Sequence, residues 1–184
     1  RSRPSLDKRA PITYDMLQKI CNLLPYVCHN EYESTLFKAM FCLAFFGLFR
    51  VSELATTRHQ SCVLNSDDIN FINANKAVQI TLRYSKTNQR GKPVILKIPC
   101  EDNDSICPVC TLKTFLQSRT TLAGALFIHS NGSPVTRYQF SAVLKKCVDR
   151  SGYISTHFKT HSFRIGRATH LASLGMQESV IMKL

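Results

Sequence analysis

Glu31-Tyr32-Glu33-Ser34-Thr35-Leu36-Phe37-Lys38-Ala39-Met40-Phe41-Cys42-Leu43-Ala44-Phe45-Phe46-Gly47-Leu48-Phe49 carries no charge after Lys38. A helix that is apolar nearly all round has no face to give to water, so it belongs at the centre of a core. The spacing predicts one helix over 31–49. Its uncharged part, 39–49, is too short to span a bilayer and reads as buried in protein. Arg50 follows at once and Glu53 lies one turn later, within a short helix predicted over 51–55. A charge directly after so apolar a run is where a rigid scaffold aims a guanidinium into a cleft, with Glu53 fixing the helix end. An ordinary surface pair at i,i+3 leaves the same string.

On the upstream side, Thr13 reads as an N-cap for a helix holding Met16, Leu17, Ile20, Leu23 and Leu24 and ending at Pro25. Residues 1–10 are basic, contain Pro4 and show no periodicity. They read as a linker arriving from an upstream region, which leaves 11–184 as one domain. Downstream the period changes from helical to alternating. Val78, Ile80, Leu82 and Tyr84 alternate with Gln79, Thr81 and Arg83, the pattern of a half-buried strand. Val94, Leu96 and Ile98 within 93–99 mark its hairpin partner, and 68–72 supplies a third strand. Further helices are expected from Pro108, from a cap at Thr136 to Gly152, from Thr160 to Gly175, and from Gln177 onward. The fold class is therefore α+β and mainly α: a helical bundle with a small, about three-stranded antiparallel sheet at one edge.

The chain of 184 residues has 24 Lys and Arg against 12 Asp and Glu, a formal charge of +12. Such an excess favours a polyanion as partner, although a solvated basic surface is common in small domains. Of the eight cysteines, Cys21, Cys42 and Cys147 sit inside apolar periodic segments, where a thiol behaves as a small hydrophobe. That pattern points to a reducing, intracellular setting rather than to a disulfide framework. Cys107-Pro108-Val109-Cys110 has the spacing of a metal knuckle. A structural zinc needs four ligands, no second such pair follows, and Cys100 is the one candidate nearby. Two packed cysteines around a helix-start proline account for the string, and no metal is expected.

Near the end of the chain stand His161-Ser162-Phe163-Arg164 and then Gly166-Arg167-Ala168-Thr169-His170. Positions i and i+3 of a helix share a face, so His161 and Arg164 present an imidazole beside a guanidinium. That pair suits a phosphate, which the guanidinium grips through its planar fork while the imidazole exchanges a proton near neutral pH. With Thr160 as N-cap, His161 falls in the first turn, where the helix dipole favours the neutral ring. A capping histidine and a solvent-facing arginine would leave the same string. His170 reads as a packing residue.

Phe46-Gly47-Leu48-Phe49-Arg50-Val51-Ser52-Glu53-Leu54, the Tyr84-Ser85-Lys86-Thr87 turn, and residues 160–184 together resemble the tyrosine recombinase (phage integrase) family, in the family's order. Among its branches the eukaryotic retroelement-borne one looks closest, which would place the protein in a nucleus. The resemblance implies a catalytic domain for site-specific DNA recombination or integration, cleaving and rejoining strands through a 3′-phosphotyrosyl link. Carried over onto this sequence, Arg50 and Arg164 hold the phosphate, His161 exchanges a proton and Glu53 supports them. Lys86 matches the lysine of the family's β-turn and becomes the general acid, where its residue types alone suggest a solvated hairpin tip. Arg90 and Lys92 in the same loop, together with Arg167, are expected on the DNA. The partners implied are double-stranded DNA and further copies of the chain assembled on it, with no metal, nucleotide or other cofactor and no membrane.

One departure limits the carry-over. The family's Gly-His or Gly-Trp pair and its nucleophilic tyrosine come after the position of Leu184. The tyrosines present are Tyr14, Tyr26, Tyr32, Tyr84, Tyr138 and Tyr153, none of them beyond Arg164. These residues alone are thus expected to bind duplex DNA without cleaving it. Two rival readings stay open: an inactive DNA-binding module derived from such an enzyme, and a zinc-stabilised binding domain with a coincidental H-x-x-R. The type IB topoisomerases share the chemistry but carry lysine or arginine where His161 stands.

Overall fold

The computed structural model describes residues 9–58, 62–83, 92–103, 105–121 and 123–177. Helix α1 (Tyr14–Val27) starts under Thr13, whose Oγ1 accepts the Met16 N–H at 3.2 Å. It runs through Pro25 instead of stopping there. The missing N–H falls in the last turn, and the Cys28 N–H still reaches Leu24 O at 2.9 Å, so little is lost.

Helix α2 (Glu31–Phe46) is capped by Asn30 and is the centre of the core, with every residue from Ala39 to Phe46 buried. It ends three residues short of the predicted 31–49. Gly47 closes it and Leu48 takes a left-handed backbone, φ 53°. For a residue with a side chain that conformation costs about 1–2 kcal/mol. Burial of Leu48 and Phe49 holds the turn in place. The chain then emerges extended at Arg50 and enters the one-turn helix α3 (Val51–Leu54). Beyond α3, Thr56 exchanges backbone hydrogen bonds of 2.9 Å with Val135 and Arg137, which pins this corner to the segment around Arg137.

Strands β1 (Ile69–Ile72), β2 (Ala77–Leu82) and β3 (Val94–Pro99) form one antiparallel sheet in the order β1-β2-β3. Val78, Ile80 and Leu82 pair with Ile98, Leu96 and Val94, so the alternating apolar sets of β2 and β3 fall on one face, as the period of two requires. Val78, Ile80 and Ile98 are buried, whereas Val94 is 41 % exposed. The sheet is thus seated on the body at one end and leaves it toward the β2–β3 connection, of which residues 84–91 lie outside the described ones.

Helix α4 (Pro108–Ser118) begins at the expected proline, and α5 (Arg137–Arg150) is held by a capping box between Thr136 and Gln139. Helix α6 (Ser162–Ser173) ends before Gly175, φ 86°. The helix expected from Gln177 onward falls almost wholly on residues outside the described ones. Phe41 of α2, Phe140 of α5 and Phe163 of α6 meet at centroid distances of 5.2–5.8 Å, locking the three helices together. The segment before α1 crosses α6: Ala10 N–H donates to His157 O (2.8 Å) and Ile12 N–H to Ser162 O (3.0 Å). Gly166 permits the crossing, since a Cβ on it would lie 1.7 Å from Ile12 O. No helix among the described residues is long and apolar enough to cross a membrane.

Candidate active site

The site begins at the Leu48 turn. With α2 ended early, Arg50 becomes the N-cap of α3 instead of the tail of α2. Glu53, 4 % exposed, turns its carboxylate back onto that cap. One oxygen accepts the Arg50 N–H at 2.7 Å, and the other lies 3.4 Å from Arg50 Nη1. A buried acceptor held by a backbone N–H and a guanidinium fixes the direction in which Arg50 leaves the fold. The Arg50 side chain remains one third exposed.

Arg164 arrives from the other end of the chain. It stands next to Phe163, whose ring is locked between α2 and α5, so the first turn of α6 has little freedom. Its Nη1 donates to the carbonyl of Leu48, two residues before Arg50. The left-handed turn is what exposes that carbonyl, because α2 no longer uses it. Burial lowers the Arg164 pKa from the ordinary arginine value, the charge of Arg50 lowers it further, and Glu53 opposes both. Two guanidiniums 114 positions apart in the sequence therefore share one corner, with a single buried carboxylate beneath them. An anion in front of the pair would relieve their repulsion.

His161 lies one turn before Arg164 and is exposed. It is itself the N-cap residue, with a helical backbone, and Thr160 lies outside the helix, so the expected cap was one position early. Ser162 explains the shift: its buried hydroxyl accepts the Lys159 N–H at 3.0 Å and closes the preceding turn. Lys86 and Arg90 lie outside the described residues. Lys92 is exposed at the entry to β3. Before that connection, Arg83 Nε is paired at 2.5 Å with buried Asp68, a contact that the alternation of β2 does not reveal and that ties the end of β2 to the loop before β1.

Arg167, expected on the DNA, is largely buried. Its guanidinium lies over the rings of Phe46 (4.8 Å) and Phe45 (5.7 Å), with Nη2 4.0 Å from Glu101 Oε1 and the side chain 14 % exposed. Burial lowers its pKa, against the charges of Glu101 and Tyr14. His170 stacks on Tyr14 at 5.4 Å, a packing contact. The fold brings the thiol of Cys100, the one nearby candidate named from the sequence, to Cys107 and Cys110. Burial raises the Cys107 pKa, but the N–H groups of Cys110, Glu101 and Val109 outweigh it, and the thiol falls below its ordinary value.

A mainly helical domain with a three-stranded antiparallel edge sheet is the architecture of tyrosine recombinase catalytic domains. The chain belongs to the phage integrase family, whose family model matches residues 12–184. It is 29 % identical over 157 residues to an integrase/recombinase XerD homolog of Selenomonas ruminantium, covering 79 % of this chain and 42 % of that protein. Over 63 residues it is 43 % identical to the tyrosine recombinase XerD of Corynebacterium glutamicum, 33 % of this chain and 19 % of that one. The chain thus spans less than half the length of these relatives. Among solved structures, the XerH site-specific recombinase bound to its difH substrate superposes with TM-score 0.67 at 15 % identity, over 94 % of this chain and 46 % of that one. The Tn1549 transposon integrase in complex with transposon right-end DNA gives 0.58 at 18 % identity, over 98 % and 57 %. At these identities the likeness is one of fold.

Proposed function

We propose that this chain is the catalytic domain of a site-specific DNA recombinase or integrase, and that the Arg50–Arg164 corner is its phosphate clamp. The observation that supports the reading is the Arg164 contact to Leu48 O, two residues before Arg50, together with the effect of the Arg50 charge on Arg164. A tyrosine oxygen attacks a backbone phosphorus while the bond to the 5′-oxygen breaks. Arg50 and Arg164 hold the non-bridging oxygens and stabilise the added negative charge of the pentacovalent transition state. His161 takes up the proton of the attacking hydroxyl, and Lys86 gives one to the departing 5′-oxygen. Attack by a 5′-hydroxyl on the 3′-phosphotyrosyl link reverses the step and reseals the strand. The broken bond's energy is kept in that link, so no nucleotide is consumed. Exchange between two sites requires two such links side by side, which is why copies of the chain are expected to assemble on the DNA.

Glu53 acts through the arginines and is a positioning residue. Arg90, in the same connection as Lys86, and Lys92, just after it, are assigned to DNA contact. With no tyrosine after Tyr153, these residues alone should bind duplex DNA without forming a covalent adduct on a nicked suicide substrate. Affinity for a duplex oligonucleotide, read by fluorescence anisotropy over a range of salt, tests the clamp. Each phosphate contact contributes about −0.9 to the slope of log K against log salt. Arg50→Ala should therefore flatten the slope by about one unit. An unchanged slope removes Arg50 from the phosphate and sinks the clamp.

A further inference from the structure

The connection from β3 to α4 carries a feature that strand cleavage does not use. The Sγ atoms of Cys100, Cys107 and Cys110 all lie within 4.8 Å of one another. None of the three is joined in a disulfide. From the geometry of these three sulfurs we infer a binding site for a thiophilic divalent cation of the zinc class, with solvent as its fourth ligand.

Three observations carry it. The first is distance: a cation at the centre of a triangle of that size is at most about 2.8 Å from each sulfur, about 0.5 Å beyond a Zn–S bond. Small side-chain rotations of Cys100 and Cys110, both only half-buried, close that gap. The second is the electrostatics around the innermost sulfur. Cys107 Sγ, fully buried at the N-cap of α4, accepts the Cys110 N–H and the Glu101 N–H, each at 3.4 Å. Backbone donors converging on one buried sulfur stabilise negative charge there, which a thiolate ligand needs and a packed thiol does not. The third is the order of the ligands. Cys100 is delivered by the Cys100 N–H bond to Lys76 O at 2.8 Å, which extends the β2–β3 pairing by one residue. Cys107 and Cys110 stand on either side of Pro108, which fixes the first turn of α4. A cation at this point closes the loop 100–107 and joins the sheet to the helix layer.

The same loop reaches α6. Glu101 faces Arg167 across 4.0 Å. Binding at the thiols therefore steadies a clasp one turn from Arg164, while the inference itself stands whether or not the clamp reading holds.

Cobalt(II), titrated into the reduced chain under argon, tests it directly. About one equivalent should bind with thiolate-to-cobalt charge-transfer absorption and the visible bands of a tetrahedral ion. Zinc(II) should displace it, releasing cobalt, and should raise the thermal midpoint. Cys100→Ser and Cys110→Ser should each weaken zinc binding by more than the roughly 100-fold that loss of an outer partner costs. Cys62→Ser, at an exposed thiol away from the cluster, should bind as the parent does. Cys110→Ser keeps the buried Cys107 in place, so its result does not depend on a folding failure at the cap. Absence of the charge-transfer band, an unchanged affinity in Cys110→Ser, or conversion of the pair to a disulfide with no metal taken up would overturn the assignment.

Discussion

Gly166→Ala should destabilise the fold, although glycine-to-alanine changes inside helices usually do the opposite. Position 166 is in the middle of α6, where alanine is favoured over glycine by about 1 kcal/mol. Against that gain stands the crossing segment. The new Cβ would lie 1.7 Å from Ile12 O and 2.6 Å from its carbonyl carbon, atoms that cannot swing aside as a side-chain tip can. The strap has to lift. Lifting it breaks the Ile12 N–H bond to Ser162 O, worth about 1 kcal/mol, and disturbs the fully buried Ile12 side chain. Overpacking of this kind costs about 3 kcal/mol at the upper end of its usual range. The net is a loss of about 3 kcal/mol, or about a hundredfold in the unfolding constant. Urea denaturation followed by far-UV circular dichroism should show the midpoint falling by roughly 1–2 M with an unchanged slope. A variant as stable as the parent, or more so, would mean that the strap does not cross α6 at Gly166. The seating of the first turn of α6, and with it of Arg164, would then need another explanation.

Two further outcomes separate the roles assigned along the site. Arg167→Ala should lower stability by about 1–2 kcal/mol through loss of the contacts to Phe46 and Phe45, while leaving the salt slope of DNA binding unchanged. A slope flattened by about 0.9 at unchanged stability would put Arg167 on a phosphate after all. In a form of the protein that produces the covalent adduct, Lys86→Ala should slow cleavage of an ordinary 5′-oxygen linkage. It should leave a 5′-bridging phosphorothiolate nearly unaffected, because sulfur departs without a proton. Equal loss on the two substrates would take Lys86 out of the acid role.

Much of the fold was legible because it rests on periodicity and caps. The alternation in β2 and β3 announced their pairing, Thr13 and Thr136 announced two helix starts, and the uninterrupted run from Ala39 announced the central helix. What escaped depends on contacts between distant segments. Nothing local marks Leu48 as left-handed. The turn is held by burial of Leu48 and Phe49, and burial is not a property of a pentapeptide. Pro25 looked like a stop because its cost depends on how many hydrogen bonds follow it, and here few do. At the three thiols, spacing singled out Cys107 and Cys110 and could name Cys100 only as a candidate nearby. The pairing of β2 with β3, rather than the sequence interval, decides where Cys100 lands.

Arg164 and Arg167 show how far a spacing argument reaches. Each i,i+3 step advances 300° around a helix and so lags the preceding residue by 60°. His161 and Arg164 stay close enough to serve one face, but Arg167 lies about 120° from His161, already on the flank of α6. The fold uses that rotation. The first turn offers His161 to solvent and Arg164 to the Leu48 carbonyl, whereas Arg167 turns onto the aromatic end of α2 and the loop after β3. A basic residue inside an H-x-x-R-x-x-R string is therefore not a phosphate ligand by virtue of the string. The same helix that carries Arg164 to the Leu48 carbonyl lays Arg167 across the aromatic end of α2, fastening itself to the core.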